Sequence, residues 1–305
     1  MWLVLAFLSA TLLGFYDCFK KKALKDNAVI PVLFLNTLFS SLVFMPFIVL
    51  SQTTLIPDES ILHVKPAEWD VHKYIILKSI IVLSSWLFGY FGMKHLPLTI
   101  VGPINATRPI MVLLGAFIFF SERLNIYQWI GVILGIVSFF MLSRSGKKEG
   151  IDFKHDKWIY FIILASLLGA MSGLYDKFLM APRESGGIGL DCITVQSWYC
   201  IYQSLMMGIT LLLLWYPKRK TTTPFSWHWS IPLISIFLCA ADFAYFIALS
   251  EEDAMISVVS MVRRGSVIVS FLFGALLLHE KNLKSKFADL ILVLLGMLFL
   301  YFGSR

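Results

Sequence analysis

The run from Leu98 to Glu122, LTIVGPINATRPIMVLLGAFIFFSE, is long and apolar enough to cross a bilayer, yet it carries Arg108, with Pro109 beside it, near its centre. An arginine at mid-membrane costs about 2.5–3.5 kcal/mol even on translocon-insertion scales, so it normally faces a protein interior or a wet cavity and has a partner there. The helix that carries Arg108 is therefore expected to form one wall of such a cavity, and the rest of the chain must supply the others.

The chain supplies apolar material in quantity. Of its 305 residues 58% are hydrophobic and 15% aromatic, and the mean hydropathy is +0.78, more apolar surface than a soluble core of this size hides. Ten stretches near twenty residues predict membrane spans: Trp2 to Phe19, Val29 to Leu50, Tyr74 to Met93, Leu98 to Phe120, Tyr127 to Leu142, Trp158 to Met180, Asp191 to Tyr216, Trp229 to Leu249, Ala254 to Leu278 and Phe287 to Gly303. They are expected to be helices, because backbone groups in hydrocarbon must bond within the segment and no barrel-like alternation recurs. The first span lacks a basic start and a small-residue cleavage site, so it reads as retained. Cys18, Cys192, Cys200 and Cys239 show no Cys-x-x-Cys spacing and read as packing residues.

The net charge of +7 is unevenly placed. Lysine and arginine fill the odd-numbered loops, as at Lys20 to Lys22, Arg144 to Lys157, Lys218 to Lys220 and Lys281 to Lys286, whereas the eighth loop holds Glu251, Glu252 and Asp253. The positive-inside rule then makes the odd loops cytoplasmic and puts both termini outside. The long second loop, Ser51 to Lys73, carries Trp69 as an interfacial anchor, and its His63 and His72 are not at metal-ligand spacing.

The second half of the chain echoes the first. Ala10, Gly14, Tyr16 and Asp17 recur as Gly169, Gly173, Tyr175 and Asp176, 159 residues on. Asn36 and Thr37 meet Gln196 and Ser197, Tyr90 and Phe91 meet Tyr245 and Phe246, and Arg108 falls on Arg263 or, with one gap, on Arg264. Five spans per copy is an odd number, so the second copy enters the membrane upside down, the inverted-repeat plan of secondary transporters. The predicted fold is an all-α integral membrane protein of ten transmembrane helices in two inverted five-helix repeats, residues 1–145 and 158–305, joined by a charged linker at 146–157.

Several polar residues sit where a span should be apolar. Asp17 and Asp176 each follow small residues at three- and four-residue spacing, which aims them at a packed interface. Each either pairs with a lysine, Lys20 or Lys21 for Asp17 and a basic group at its own helix end for Asp176, or titrates during transport. Asp242, with Tyr245 on its face, has no cation in its own helix, and Arg263, Arg264 and Arg108 are its available partners. Gly102, Asn105 and Arg108 form one polar stripe, and Ser257, Ser260 and Arg264 another. Guanidinium groups suit carboxylate or phosphate, so these stripes favour an anionic or zwitterionic substrate. Trp86 with Tyr90, and Gln196 with Tyr199 and Gln203, are same-face sets that suit either a cavity lining or ordinary packing. Pro109 and Gly265 mark a kink beside the arginines in each half. Gly131 and Gly135 form a GxxxG that reads as close helix packing. No paired-aspartate phosphate motif, histidine-rich cluster, Ser-x-x-Lys dyad or phosphate loop is present, so no enzyme, cofactor or metal is expected.

The opening LLGFYDCFKKKAL with its echo LLGAMSGLYDKF, and the closing units LLGAFIFFSERLNIYQWIGVILGIVSFFML and SFLFGALLLHEKNLKSKFADLILVLLGMLFLYFG, resemble the drug/metabolite transporter superfamily, specifically its ten-helix EamA-type members. The resemblance spans the whole chain. It implies a central cavity lined by the first, third and fourth helices and their later equivalents, with the fifth and tenth peripheral. It nominates Tyr16, Asp17, Trp86, Tyr90, Arg108, Tyr175, Asp176, Asp242, Tyr245, Arg263 and Arg264. The residues themselves add Asn36, Asn105, Gln196 and Ser260 to the cavity set, with Asp17, Asp176 and Asp242 as coupling or ion-pair candidates. Two features depart from the family: Gly14-Phe15 and Gly173-Leu174 stand where Trp-Gly is frequent, and family members are drawn with cytoplasmic termini, opposite to the lysine count.

The function these readings predict is a secondary transporter, exporter or exchanger, that moves a small polar metabolite across the cytoplasmic membrane by alternating access, with proton coupling as one mode. An integral-membrane enzyme or lipid-modifying protein and an uncoupled channel-like facilitator are the alternatives. The expected partners are the substrate and the bilayer, not nucleic acid. The chain is read as a monomer, with a dimer as the other assembly.

Overall fold

The computed structural model describes residues 2–53, 55–60, 62–108, 110–111, 114, 125–147, 150–180, 183–250, 262–278 and 283–303. Among the described residues every regular element is helical: α1 (Trp2–Leu24), α2 (Val29–Gln52), α3 (Trp69–His95), α4 (Leu98–Ala106), α5 (Ile126–Lys147), α6 (Lys157–Met180), α7 (Cys192–Thr210, continuing as a π-helical turn Leu211–Trp215), α8 (Ser230–Ser250), α9 (Ser266–Leu276) and α10 (Leu283–Gly303), with a short 3₁₀ turn at Arg183–Ser185. Trp2–Leu24, Val29–Gln52, Trp69–His95, Lys157–Met180, Cys192–Trp215 and Lys286–Gly303 are long and apolar enough to cross a membrane, and Ile126–Leu142 and Ser230–Tyr245 are shorter apolar helices. Pro109, Glu122, Glu251, Glu252, Asp253, Ser257, Ser260 and Glu280 lie outside the described residues.

The outside of the molecule is apolar. Val4, Phe7, Ile133, Leu205, Leu212, Leu213, Leu214 and Phe302 are all exposed, as a bilayer-facing surface requires and a water-facing one would not tolerate as a continuous belt. Since lipid is as apolar as leucine, helix association here rests on close packing and hydrogen bonds rather than on the hydrophobic effect. The second loop is shorter than its composition suggests. Polar residues at both ends are taken up into α2 and α3, and Trp69 starts α3 as an exposed side chain.

Helices of the first half pair mainly with helices of the second. In α1 and α8, Ser9 Oγ donates to the Ala241 carbonyl at 2.7 Å, Phe15 and Phe19 lie on Phe237, and Ala6 is buried with Ala248. The α3 and α6 pair runs from His95 stacked on Trp158 at 3.7 Å, through Gly92 against Ile162 and Ser85 Oγ donating to the Ala165 carbonyl at 2.7 Å, to Tyr74 against Phe178. Both pairs are antiparallel and joined along their length. The helices α2 and α7, α4 and α9, and α5 and α10 also pair, while α4 packs on α6 as α9 packs on α1. Exchanging α1 with α6, α2 with α7 and so on returns the same set of partners, as two inverted copies demand. The two halves are interleaved rather than standing as separate lobes.

Both halves break their central helix at the same place. Thr107 N–H donates to the Ile104 carbonyl and Ile110 N–H to Thr107; Gly265 N–H donates to the Val262 carbonyl and Ile268 N–H to Gly265, all at 2.9–3.1 Å. These matched three-residue turns register the halves 158 residues apart here. Arg108 therefore follows its break, whereas Arg263 and Arg264 precede theirs. The sequence pairing of Arg108 with Arg263 or Arg264 is corrected accordingly: the arginines flank the break from opposite sides instead of superposing. The first break falls at Thr107, ahead of the kink expected beside Pro109.

The GxxxG reading holds at Gly131, where an added Cβ would lie 2.8 Å from the Gly296 carbonyl and 2.7 Å from Leu300. Backbone on one side leaves no flexible group to yield. Gly131→Val should therefore destabilise the protein by about 2 kcal/mol, the usual cost of overpacking, by prising α5 from α10. An unchanged unfolding midpoint in detergent would show that this interface does not hold the fold.

Candidate functional site

A cavity of about 360 Å³ lies between a wall made by α1, α8 and the chain before α9 and a wall made by α3, α4 and α6, with α7 between them. Its lining is more polar than the surrounding core because each wall turns one helical stripe inward. On α3 the stripe is Lys78, Val82, Ser85, Trp86, Gly89, Tyr90 and Met93, the three- and four-residue period of one helix face.

Three carboxylates face this space, and each is held by a cation. Asp17 accepts from Lys20 Nζ at 2.7 Å, Asp176 is paired with Lys78, and Asp242 with Arg263. Each of these cations also stands over a tyrosine ring: Lys20 over Tyr16 at 4.2 Å, Lys78 over Tyr199 at 5.2 Å and Arg263 over Tyr245 at 4.3 Å. The acid supplies the countercharge and the ring face supplies a second, weaker attraction in a place short of water. Gln196 extends the third group by donating to Asp242 at 3.3 Å and to Tyr199 Oη at 3.2 Å.

Two further arginines lie outside that arrangement. Arg108 rests against Gly169, where an added Cβ would be 2.9 Å from its guanidinium carbon, and it donates to Asn105 Oδ1 at 3.3 Å. Asn105 is in turn fixed by Ser166 Oγ at 3.1 Å. The Arg108 Nε is buried with no hydrogen-bond partner. Arg264 also lines the cavity, and its side chain is exposed. Neither has a carboxylate partner among the described residues.

The structure brings together twelve of the residues singled out from sequence: Tyr16, Asp17, Trp86, Tyr90, Asn105, Arg108, Asp176, Gln196, Asp242, Tyr245, Arg263 and Arg264 all line the cavity. Two stand elsewhere. Asn36 is buried between α2 and α8, where its Oδ1 accepts from Ser235 Oγ at 3.0 Å. Tyr175 turns toward the start of α3 and donates to the Tyr74 carbonyl at 3.3 Å, since on α6 the inward stripe is Ser172 and Asp176. Ser260 falls outside the described residues. Among the described residues no aspartate is ion-paired with Arg108: Asp17, Asp176 and Asp242 are each paired with another cation, and Asp176 finds its lysine on α3 and not at its own helix end. Lys78 was the residue missed. It lies inside a predicted span, so the rule that singled out Arg108 would have found it.

Residues 1–144 match the model of the EamA-like transporter family. A solved structure described as "Crystal structure of protein" shares the fold, with a TM-score of 0.62 at 13% identity, over 97% of this chain and 96% of its own. No curated protein matches the sequence.

Proposed function

From the match of residues 1–144 to the EamA-like transporter family, we propose that the chain is a secondary transporter that moves a small anionic or zwitterionic metabolite across the plasma (bacterial inner) membrane by alternating access. The observation that carries the reading is the cavity itself: a space of about 360 Å³ deep among apolar helices, lined by ion pairs and two arginines without carboxylates. Intramembrane charge on this scale is costly and marks a substrate or ion pathway. Aromatic walls at Trp86, Tyr90, Tyr199 and Tyr245 suit the uncharged body of such a solute.

The repeats of the proposal are residues 1–145 and 158–305, with 146–157 as the linker. Because the halves interleave, the units that move are α1, α8 and α9 against α3, α4 and α6, not one repeat against the other. Each unit is an antiparallel pair stapled end to end, with a third helix packed on it, and the cavity charges lie at the seam between the units.

Purified protein in liposomes tests the reading. Solute movement driven by a solute gradient, and absent from protein-free vesicles, is the expected result. Product formation with no vectorial movement would replace it with an enzyme. Gly169→Val offers a sharper check, since the three atoms nearest to an added Cβ there all belong to the Arg108 guanidinium, which must move. Transport should fall at least tenfold with the unfolding midpoint within a few degrees of the parent, and equal transport would remove Arg108 from the site.

A further inference from the structure

Among the described residues the cavity lining is not electrically balanced. Lys20, Lys78, Arg108, Arg263 and Arg264 face it with Asp17, Asp176 and Asp242, so five described cations oppose three described carboxylates, a formal excess of +2. The three acids make their ion pairs with Lys20, Lys78 and Arg263, so among the described residues Arg108 and Arg264 are the lining cations with no carboxylate in ion-pair contact, and Asp17 is the acid within Coulombic reach of Arg108. These two stand on opposite walls of the cavity, next to the helices α4 and α9 that meet across it. Arg108 follows α4 and leans on Gly169 of α6, whereas Arg264 precedes α9, which packs on α1. They lie within Coulombic reach of one another.

An open cavity hydrates both guanidinium groups. Closure removes that water and drives like charges together in a medium of low dielectric, where their repulsion is several times stronger than in water. Arg108 is already short of partners, with Nε buried and unbonded. An empty transporter therefore cannot close over these residues without stranding two charges. A solute bearing two negative charges removes the difficulty, since each guanidinium binds a carboxylate or phosphate through paired hydrogen bonds and the closed cavity becomes neutral.

Resting on the transporter reading above, we infer that the substrate is a dianion of the phosphomonoester or dicarboxylate class, bridged between Arg108 and Arg264, and that the protein is a strict exchanger which crosses the membrane loaded in both directions. The dianion is then both cargo and the countercharge that permits closure.

The test uses the full chain in liposomes with labelled inorganic phosphate and labelled succinate as probes. Vesicles preloaded with the same unlabelled anion should take up at least one label ten times faster than unloaded vesicles, and a pH gradient across unloaded vesicles should not substitute. The Arg264→Gln variant lowers the excess to +1 and should narrow the loaded-to-unloaded ratio to below threefold, with the parent's unfolding midpoint retained. Equal uptake into loaded and unloaded vesicles overturns strict exchange. Exchange of an amino acid or an organic cation with neither dianion moving overturns the substrate class while the transporter reading stands. No flux of any solute in any loading overturns both.

Discussion

Replacing Asp242 with alanine is expected to destabilise the protein by roughly 3 kcal/mol, the low end of what removing one partner of a buried ion pair costs, or more than a hundredfold in the folding equilibrium. Asp242 is buried on α8, paired with Arg263 and hydrogen-bonded by Gln196 at 3.3 Å. Without it Arg263 keeps, among the described residues, the Tyr245 ring at 4.3 Å, and its Nε has no hydrogen-bond partner there. The cost comes from the charge left behind. Asp242→Leu with Arg263→Met should therefore recover most of the loss, because an apolar pair of similar volume needs no countercharge. Tryptophan fluorescence during denaturant titration in detergent measures both variants. Additive losses in the double variant would mean that the two side chains do not act as a pair.

Arg108→Gln should behave in the opposite way. Transport of the substrate anion should fall roughly a hundredfold, in keeping with the loss of two charge-assisted hydrogen bonds worth about 1.5–3 kcal/mol each with partial compensation by the amide. Stability should stay level or rise, because the variant removes a half-buried charge that among the described residues donates to Asn105 at 3.3 Å and whose buried Nε has no partner. A residue that costs stability while serving activity is the mark of a functional site. Liposome flux and unfolding midpoint, measured on the same preparation, check the two halves of the prediction. A variant that loses stability and transport together would make Arg108 a structural residue.

The contrast between these two arginines was not legible in the chain. Both stand inside apolar spans, and hydropathy alone marks each as expensive. Which one is neutralised depends on where α8 places Asp242 relative to the segment before α9, a matter of helix rotation and depth. Asp17 and Lys20, one helical turn apart, could be paired on spacing. Asp176 could not, because its lysine arrives from α3, 98 residues away in sequence. Asn36 shows the same limit from the other side. Its place in the repeat suggests a cavity residue, yet Ser235 of a neighbouring helix takes its side chain into the core.

What the sequence determined by itself is the all-helical membrane character, the echo between the halves, the polar face of the helices that carry Asp17, Trp86 and Asp242, and the break at Gly265. These follow from local properties: transfer cost over twenty residues, a 3.6-residue period and the conformational freedom of glycine. Only the tertiary structure decided which helices pair, that the halves interleave, that Lys78 takes Asp176 and that Arg108 and Arg264 keep no carboxylate among the described residues. Those facts depend on helix rotation and on close contacts at Gly92, Gly131 and Gly169. Such packing between distant segments is collective, and no window of the chain contains it.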